Sequence, residues 1–101
     1  MAKKLAPVHP GEILREEFLA PMKLTPYGVA AKLGVPRTRI ERLAREDTPV
    51  TADTALRLAK YFGTTAAFWM NIQSRYDLEI AEDTVGRQIA KIERHEKEVA
   101  A

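Results

Sequence analysis

Five basic side chains crowd one short stretch of this 101-residue sequence: Lys32, Arg37, Arg39, Arg42 and Arg45, with Glu41 the single acid among them. A guanidinium presents its donors as a rigid fork that matches the O6/N7 edge of guanine or the oxygens of a phosphate. Clustered in this way, such groups attract a polyanion and speed its encounter with the protein. Most charge clusters are only a solvated helix face, so charge by itself does not decide the matter.

Other chemistry finds little to work with. Cysteine is absent, which excludes disulfides, thiolate nucleophiles and cysteine metal sites and agrees with a reducing, cytoplasmic setting. His9 and His95 stand far apart in the sequence without partners at ligand spacing, so no metal site is expected. His9, just ahead of Pro10, is instead expected to help start a helix. Ser74 is the only serine and has no neighbouring group to activate it, and the five glycines are scattered rather than gathered into a phosphate loop. Neither an enzyme nor a cofactor is expected. The first eight residues carry Lys3 and Lys4 with no apolar run behind them, unlike a signal peptide, and no stretch reaches the length of a membrane span.

The elements that must carry the basic cluster are helical. Apolar residues recur at three and four, and no segment alternates for long enough to be a strand. A first helix is expected over residues 10–20, with Pro10 in its first turn, an apolar stripe of Ile13, Leu14, Phe18 and Leu19, and Pro21 as its stop. Thr25-Pro26 opens a second that closes at Gly34, and a third runs from about Pro36 to Arg45. After a loop at residues 46–49, Thr51 caps a fourth helix that ends at Gly63. Thr65 caps a fifth bearing Phe68, Trp69, Ile72 and Tyr76. The expected fold is all-α, a five-helix domain over residues 1–80 with a charged helical tail over residues 81–101. In that tail Leu78, Val85, Ile92 and Val99 fall at seven-residue spacing with Ile89 beside them, the seam of a coiled coil or a docked helix. Gly86 weakens it by about 1 kcal/mol relative to alanine, which suits a frayed or partner-stabilised helix.

The second and third helices carry a more specific pattern. Two helices crossing steeply over a short turn need a small residue at the crossing (Ala30), a residue tolerant of positive φ in the turn (Gly34), and apolar residues in the wedge. Val29, Leu33, Val35, Ile40 and Leu43 supply the wedge, so residues 26–45 satisfy the helix-turn-helix pattern. With Ile40 set at 0°, Leu43 and Ala44 lie within about 60°, while Thr38, Arg42 and Arg45 lie about 140–200° away. That outer side is the one a recognition helix turns into the major groove. A purely structural hairpin has no need of four arginines in nine residues without matching acids.

Val8-His9-Pro10-Gly11-Glu12-Ile13-Leu14, Leu33-Gly34-Val35-Pro36, Thr51-Ala52-Asp53-Thr54-Ala55-Leu56-Arg57-Leu58-Ala59, Phe62-Gly63-Thr64 and Phe68-Trp69 closely resemble HigA-type antitoxins, the virulence-associated protein I group of the lambda-repressor-like helix-turn-helix superfamily. The likeness covers about residues 8–81. It implies a homodimer on a palindromic double-stranded operator, often the protein's own promoter. It also implies a partner, a small basic RelE-like ribonuclease toxin of the HigB type. The family's DNA-facing positions on the third helix fall on Arg37, Thr38, Arg39 and Arg42, and Thr25 and Tyr27 match positions that usually touch phosphate. Family members usually continue into a basic, glycine-containing loop. Here Arg45-Glu46-Asp47-Thr48-Pro49 takes that place, and Arg45 is the residue placed to substitute.

Core packing is the default for Phe68, Trp69, Ile72 and Tyr76, but they give one helix more aromatic surface than a small core covers, which suits a dimer interface. Glu12, Glu16 and Glu17 form an acidic edge on the first helix, solvated surface by default and a contact for a basic toxin in the sharper reading. The tail, through Ile89, Ile92 and Val99, is the alternative toxin surface. Two further readings stand beside the antitoxin: a stand-alone XRE-type transcriptional regulator, and an interaction module whose tail docks on a partner.

Overall fold

The computed structural model describes residues 5–96 and contains helices and no strands among them. Lys3, Lys4 and Val99 lie outside the described residues. Helix α1 starts at Pro10, as the sequence reading expects, and His9 caps it. The His9 Nδ1 accepts the Gly11 N–H at 2.8 Å. Its winding is not uniform: Pro10–Ile13 is α-helical and Leu14–Leu19 is a π-helix, in which the Ala20 N–H reaches the Arg15 carbonyl five residues back. The widened turn has a packing consequence. Leu14 and Leu19 are both buried, yet residues five apart would diverge by about 140° on an α-helix. π-winding narrows that angle and brings both to the core.

Helix α2 spans Pro26–Leu33, capped by Thr25 Oγ1, which accepts the Gly28 N–H at 3.0 Å. It closes at Gly34 with φ 73°, a left-handed value that a Cβ would disfavour. Helix α3 spans Arg37–Ala44, and α4 spans Ala52–Phe62 under a Thr51 cap and closes at Gly63, φ 76°. Thr65 caps α5, which spans Ala66–Ala90.

The core gathers Leu14, Ile40, Leu43, Leu58, Val29 and Trp69, each at most 1% exposed. Trp69 corrects an expectation. Assigned above to a dimer interface, it has no exposed surface within the single chain. Its ring lies 5.2 Å from that of Phe18, and its Nε1–H donates to Thr64 Oγ1 at 2.8 Å. The aromatic surplus was smaller than the composition suggested because α1 supplies Phe18 and α4 supplies Phe62 to cover it.

Three close contacts lock α1 and α5 to the end of α3 and the loop that follows it. A Cβ added to Gly11 would sit 1.8 Å from the Leu43 carbonyl oxygen, so α1 can approach the end of α3 only through glycine. Arg15 donates to the Ala44 carbonyl at 2.6 Å nearby. From the other side, buried Gln73 of α5 accepts the Val50 N–H at 2.7 Å, just before α4.

Helix α5 runs without interruption past residue 80 and stops at Ala90. Its far half leaves the domain, and Leu78 (69%) and Ile89 (56%) are largely exposed. The heptad seam is therefore only partly helical: Leu78 and Val85 lie on α5, while Ile92 lies beyond its end. None of the described helices is long and apolar enough to cross a membrane.

Candidate nucleic-acid interface

The turn between α2 and α3 is built as the sequence demands. Ala30 is 1% exposed, the Val35 N–H returns to its carbonyl at 3.1 Å, and Val29, Ile40 and Leu43 fill the wedge. Burying Ile40, Leu43 and Ala44 on one side of α3 leaves Thr38 and Arg42 exposed on the other, with Arg37 and Arg39 exposed at its N-terminal end and Arg45 just past its C-terminal end. Thr38, Arg39 and Arg42 border a groove whose far wall is Thr48, Pro49 and Thr51.

The arginines are not equivalent. Arg37 lies 3.9 Å from Glu41 one turn on, and Arg45 lies 3.3 Å from Asp47. Arg39 is paired with Asp53 of α4. Arg42 makes no ion pair among the described residues. The expectation that these arginines lack matching acids is thus corrected: three have one, two of them supplied by residues beyond α3. All these pairs are solvent-exposed, and an isolated exposed pair contributes about 0–1 kcal/mol, so the contacts of Arg37 and Arg45 exchange readily for a phosphate, whereas the Asp53 partner of Arg39 is also held by Arg57. Arg57 and then Arg39, both bonded to Asp53, hold its carboxyl below the usual aspartate range.

Thr25 and Tyr27 lie at the start of α2, both exposed. The Thr25 oxygen is occupied in capping, so its O–H remains to donate outward, beside the positive end of the helix dipole. Arg45 joins this side rather than the groove, sharing a shallow surface with Pro26, Leu24 and Arg15. Six of the seven candidate residues therefore form two groups, Thr38, Arg39 and Arg42 around the groove and Thr25, Tyr27 and Arg45 near the start of α2, while Arg37 lies outside both. In the place of the usual glycine loop, Glu46 adopts φ 66°, a left-handed value for a residue with a side chain. Arg15 contacts the Glu46 carboxylate at 3.1 Å.

Outside the groove, Phe68 is 38% exposed and Ile72 and Tyr76 are half-buried, the Tyr76 ring standing edge-on to His9 at 4.8 Å. Of the acidic edge, Glu17 is exposed, Glu12 is half-buried, and Glu16 is bonded to Arg15 at 2.9 Å. That edge carries less unpaired charge than its sequence suggests. Asp53, Arg57 and Gln73 were missed. The four-residue spacing of Asp53 and Arg57 was a visible signal, but nothing local points from Asp53 to Arg39 or from Gln73 to Val50.

Fold and site together define a helix-turn-helix protein, and the chain belongs to that family, whose model matches residues 14–69. Its relatives narrow the group to the HigA-type antitoxins and virulence-associated protein I. The chain is 53% identical over 75 residues to virulence-associated protein I of Dichelobacter nodosus, covering 74% of this chain and 69% of that one. It is 41% identical over 75 residues to antitoxin HigA-1 of Vibrio cholerae, covering 74% and 70%. Among solved structures, Pseudomonas aeruginosa antitoxin HigA with the higBA promoter matches with a TM-score of 0.84 at 45% identity, over 86% of this chain and 96% of that one. Antitoxin GraA in complex with its operator matches with a TM-score of 0.86 at 39% identity, over 96% and 99%.

Proposed function

We propose that this protein is a DNA-binding antitoxin: a cytoplasmic homodimer that binds a palindromic operator, represses its own operon and neutralises a RelE-like ribonuclease of the HigB type. The observation that carries the DNA reading is Arg42. It stands exposed on the outer side of α3, without an ion pair among the described residues, beside Thr38 and across a groove from Thr48 and Thr51. Arg42 donates its fork to a guanine edge, and Arg37 and Arg39 extend the readout along α3. Thr25, Tyr27 and Arg45 take phosphates and set the register. Relatives solved with a promoter or an operator support operator DNA as the ligand.

A dimer presents two such helices to successive half-sites, and α5 is the surface for it. Phe68, Ile72 and Tyr76 start that face, and the exposed Leu78 and Ile89 continue it. The toxin is assigned to the acidic edge of α1, Glu12, Glu16 and Glu17, whose charge complements a basic RNA-binding surface.

Binding to a duplex that the protein itself selects from a randomised pool, followed as salt is raised, tests the DNA reading. Steep salt dependence with preference over a scrambled duplex is expected, and weak binding indifferent to sequence would refute it. Co-expression with the product of the neighbouring open reading frame tests the antitoxin reading, and a product without ribonuclease activity would refute it. Loss of protection when Glu12, Glu16 and Glu17 are changed to Lys supports the α1 surface. Loss only on truncation after Ala81 moves the toxin to the tail.

A further inference from the structure

The first turn of α3 carries an arginine whose guanidinium is already engaged. Arg39 Nη1 donates to Asp53 Oδ2, and the same oxygen accepts the Nε–H of Arg57 at 3.1 Å. Arg57 also donates from Nη1 to the Leu33 carbonyl at 2.8 Å. Leu33 is the last residue of α2, immediately before left-handed Gly34. One carboxylate therefore ties together the end of α2, the start of α3 and the first turn of α4.

An acid in this place needs a reason. A carboxylate on a surface that meets phosphates repels them and lowers affinity for DNA of every sequence. Its position in the first turn of α4, under the Thr51 cap, offers one, since a negative charge favours a helix N-terminus. That reason does not account for the Arg39 contact, which reaches fourteen residues back along the chain to another helix. An untethered arginine samples many rotamers, and its fork must be ordered before it can read a base. Arg39 borders the groove with Thr38 and Arg42, so fixing one edge of its guanidinium to Asp53 orders the donors that remain.

We propose that Asp53, itself steadied by Arg57, is a positioning residue that orders Arg39 for sequence-selective contact, lowering general affinity for DNA while raising selectivity. The proposal rests on the DNA-binding reading above, and its test separates the two. The probe is a duplex selected by the wild-type protein from a randomised pool, measured against the same duplex scrambled. Asp53→Asn is expected to reduce that selectivity about tenfold and to raise affinity for the scrambled duplex. Asp53→Glu, which keeps the carboxylate, restores part of the selectivity. In an Arg39→Ala background, Asp53→Asn reduces selectivity no further, because the group it positions is gone. Thermal melting of each variant provides the contrast. A helix-terminus role alone lowers the melting temperature and leaves selectivity intact, which would overturn the proposal, as would additive losses in the double variant. Should Asp53→Asn fail to fold, Arg57→Gln loosens Asp53 without touching Arg39 and carries the same expectation. A wild-type protein that selects no duplex overturns both readings. Wild-type selectivity that survives Asp53→Asn unchanged overturns this one alone.

Discussion

Gly11→Ala is a substitution for which local and tertiary reasoning predict opposite signs. On helix propensity alone alanine gains up to about 1 kcal/mol over glycine. The added Cβ, however, would lie 1.8 Å from the Leu43 carbonyl oxygen and 3.1 Å from His9 Nδ1. A carbon and a carbonyl oxygen pack no closer than about 3.3 Å, so the two helices must separate by about 1.5 Å there. Overpacking costs about 1–3 kcal/mol, and the upper end applies because the obstacle is backbone that cannot rotate aside. Subtracting the propensity gain leaves a net loss of about 2 kcal/mol. For a domain of this size that lowers the melting temperature by about 8–16 °C. Gly86→Ala is the matched control: nothing lies within 4 Å of its Cβ position on α5, so the same change there stabilises the helix by up to about 1 kcal/mol. Thermal unfolding followed by circular dichroism, at one fixed protein concentration, compares the three proteins. If Gly11→Ala melts at or above the wild type, the close approach of α1 to α3 is wrong.

Three further outcomes are expected. Arg42→Ala and Thr38→Ala change sequence preference, whereas Arg45→Ala weakens binding to all duplexes alike and lowers the salt slope by about one; selectivity untouched by Arg42→Ala would mean α3 is misplaced in the groove. Light scattering should report about twice the 11.4 kDa chain mass, and Leu78→Asp with Ile89→Asp should yield folded monomers. Trp69→Ala should instead cost about 3–5 kcal/mol of folding stability, and a folded Trp69→Ala monomer would restore the interface assignment. Burial lowers the His9 pKa below its ordinary 6.5, against the opposing charges of Glu46 and Asp77. The unfolded chain therefore binds the proton more readily, so this contribution is complete above pH 6.5 and is lost as pH falls below it. His9→Asn, which keeps a capping oxygen, should flatten the melting profile in that acid window; identical profiles would refute the assignment.

Local chemistry determined a large part of this protein from the sequence alone. Thr25, Thr51 and Thr65 begin helices because a hydroxyl oxygen can take an orphan N–H, and Gly34 and Gly63 end them because they tolerate positive φ. The outer side of α3 was legible because the 3.6-residue period links Ile40, Leu43 and Arg42 by angle alone. Tertiary structure decided what depends on neighbours distant in sequence. Periodicity marks Trp69 as apolar, but only the arrival of Phe18 from α1 and Phe62 from α4 makes it core rather than interface. The same holds for Arg39, whose partner Asp53 lies on another helix, and for Glu46, whose left-handed backbone accompanies a contact from Arg15 on α1. Caps and periods act within a few residues and can be read along the chain. Burial and ion pairing depend on which helices meet, which no local pattern specifies.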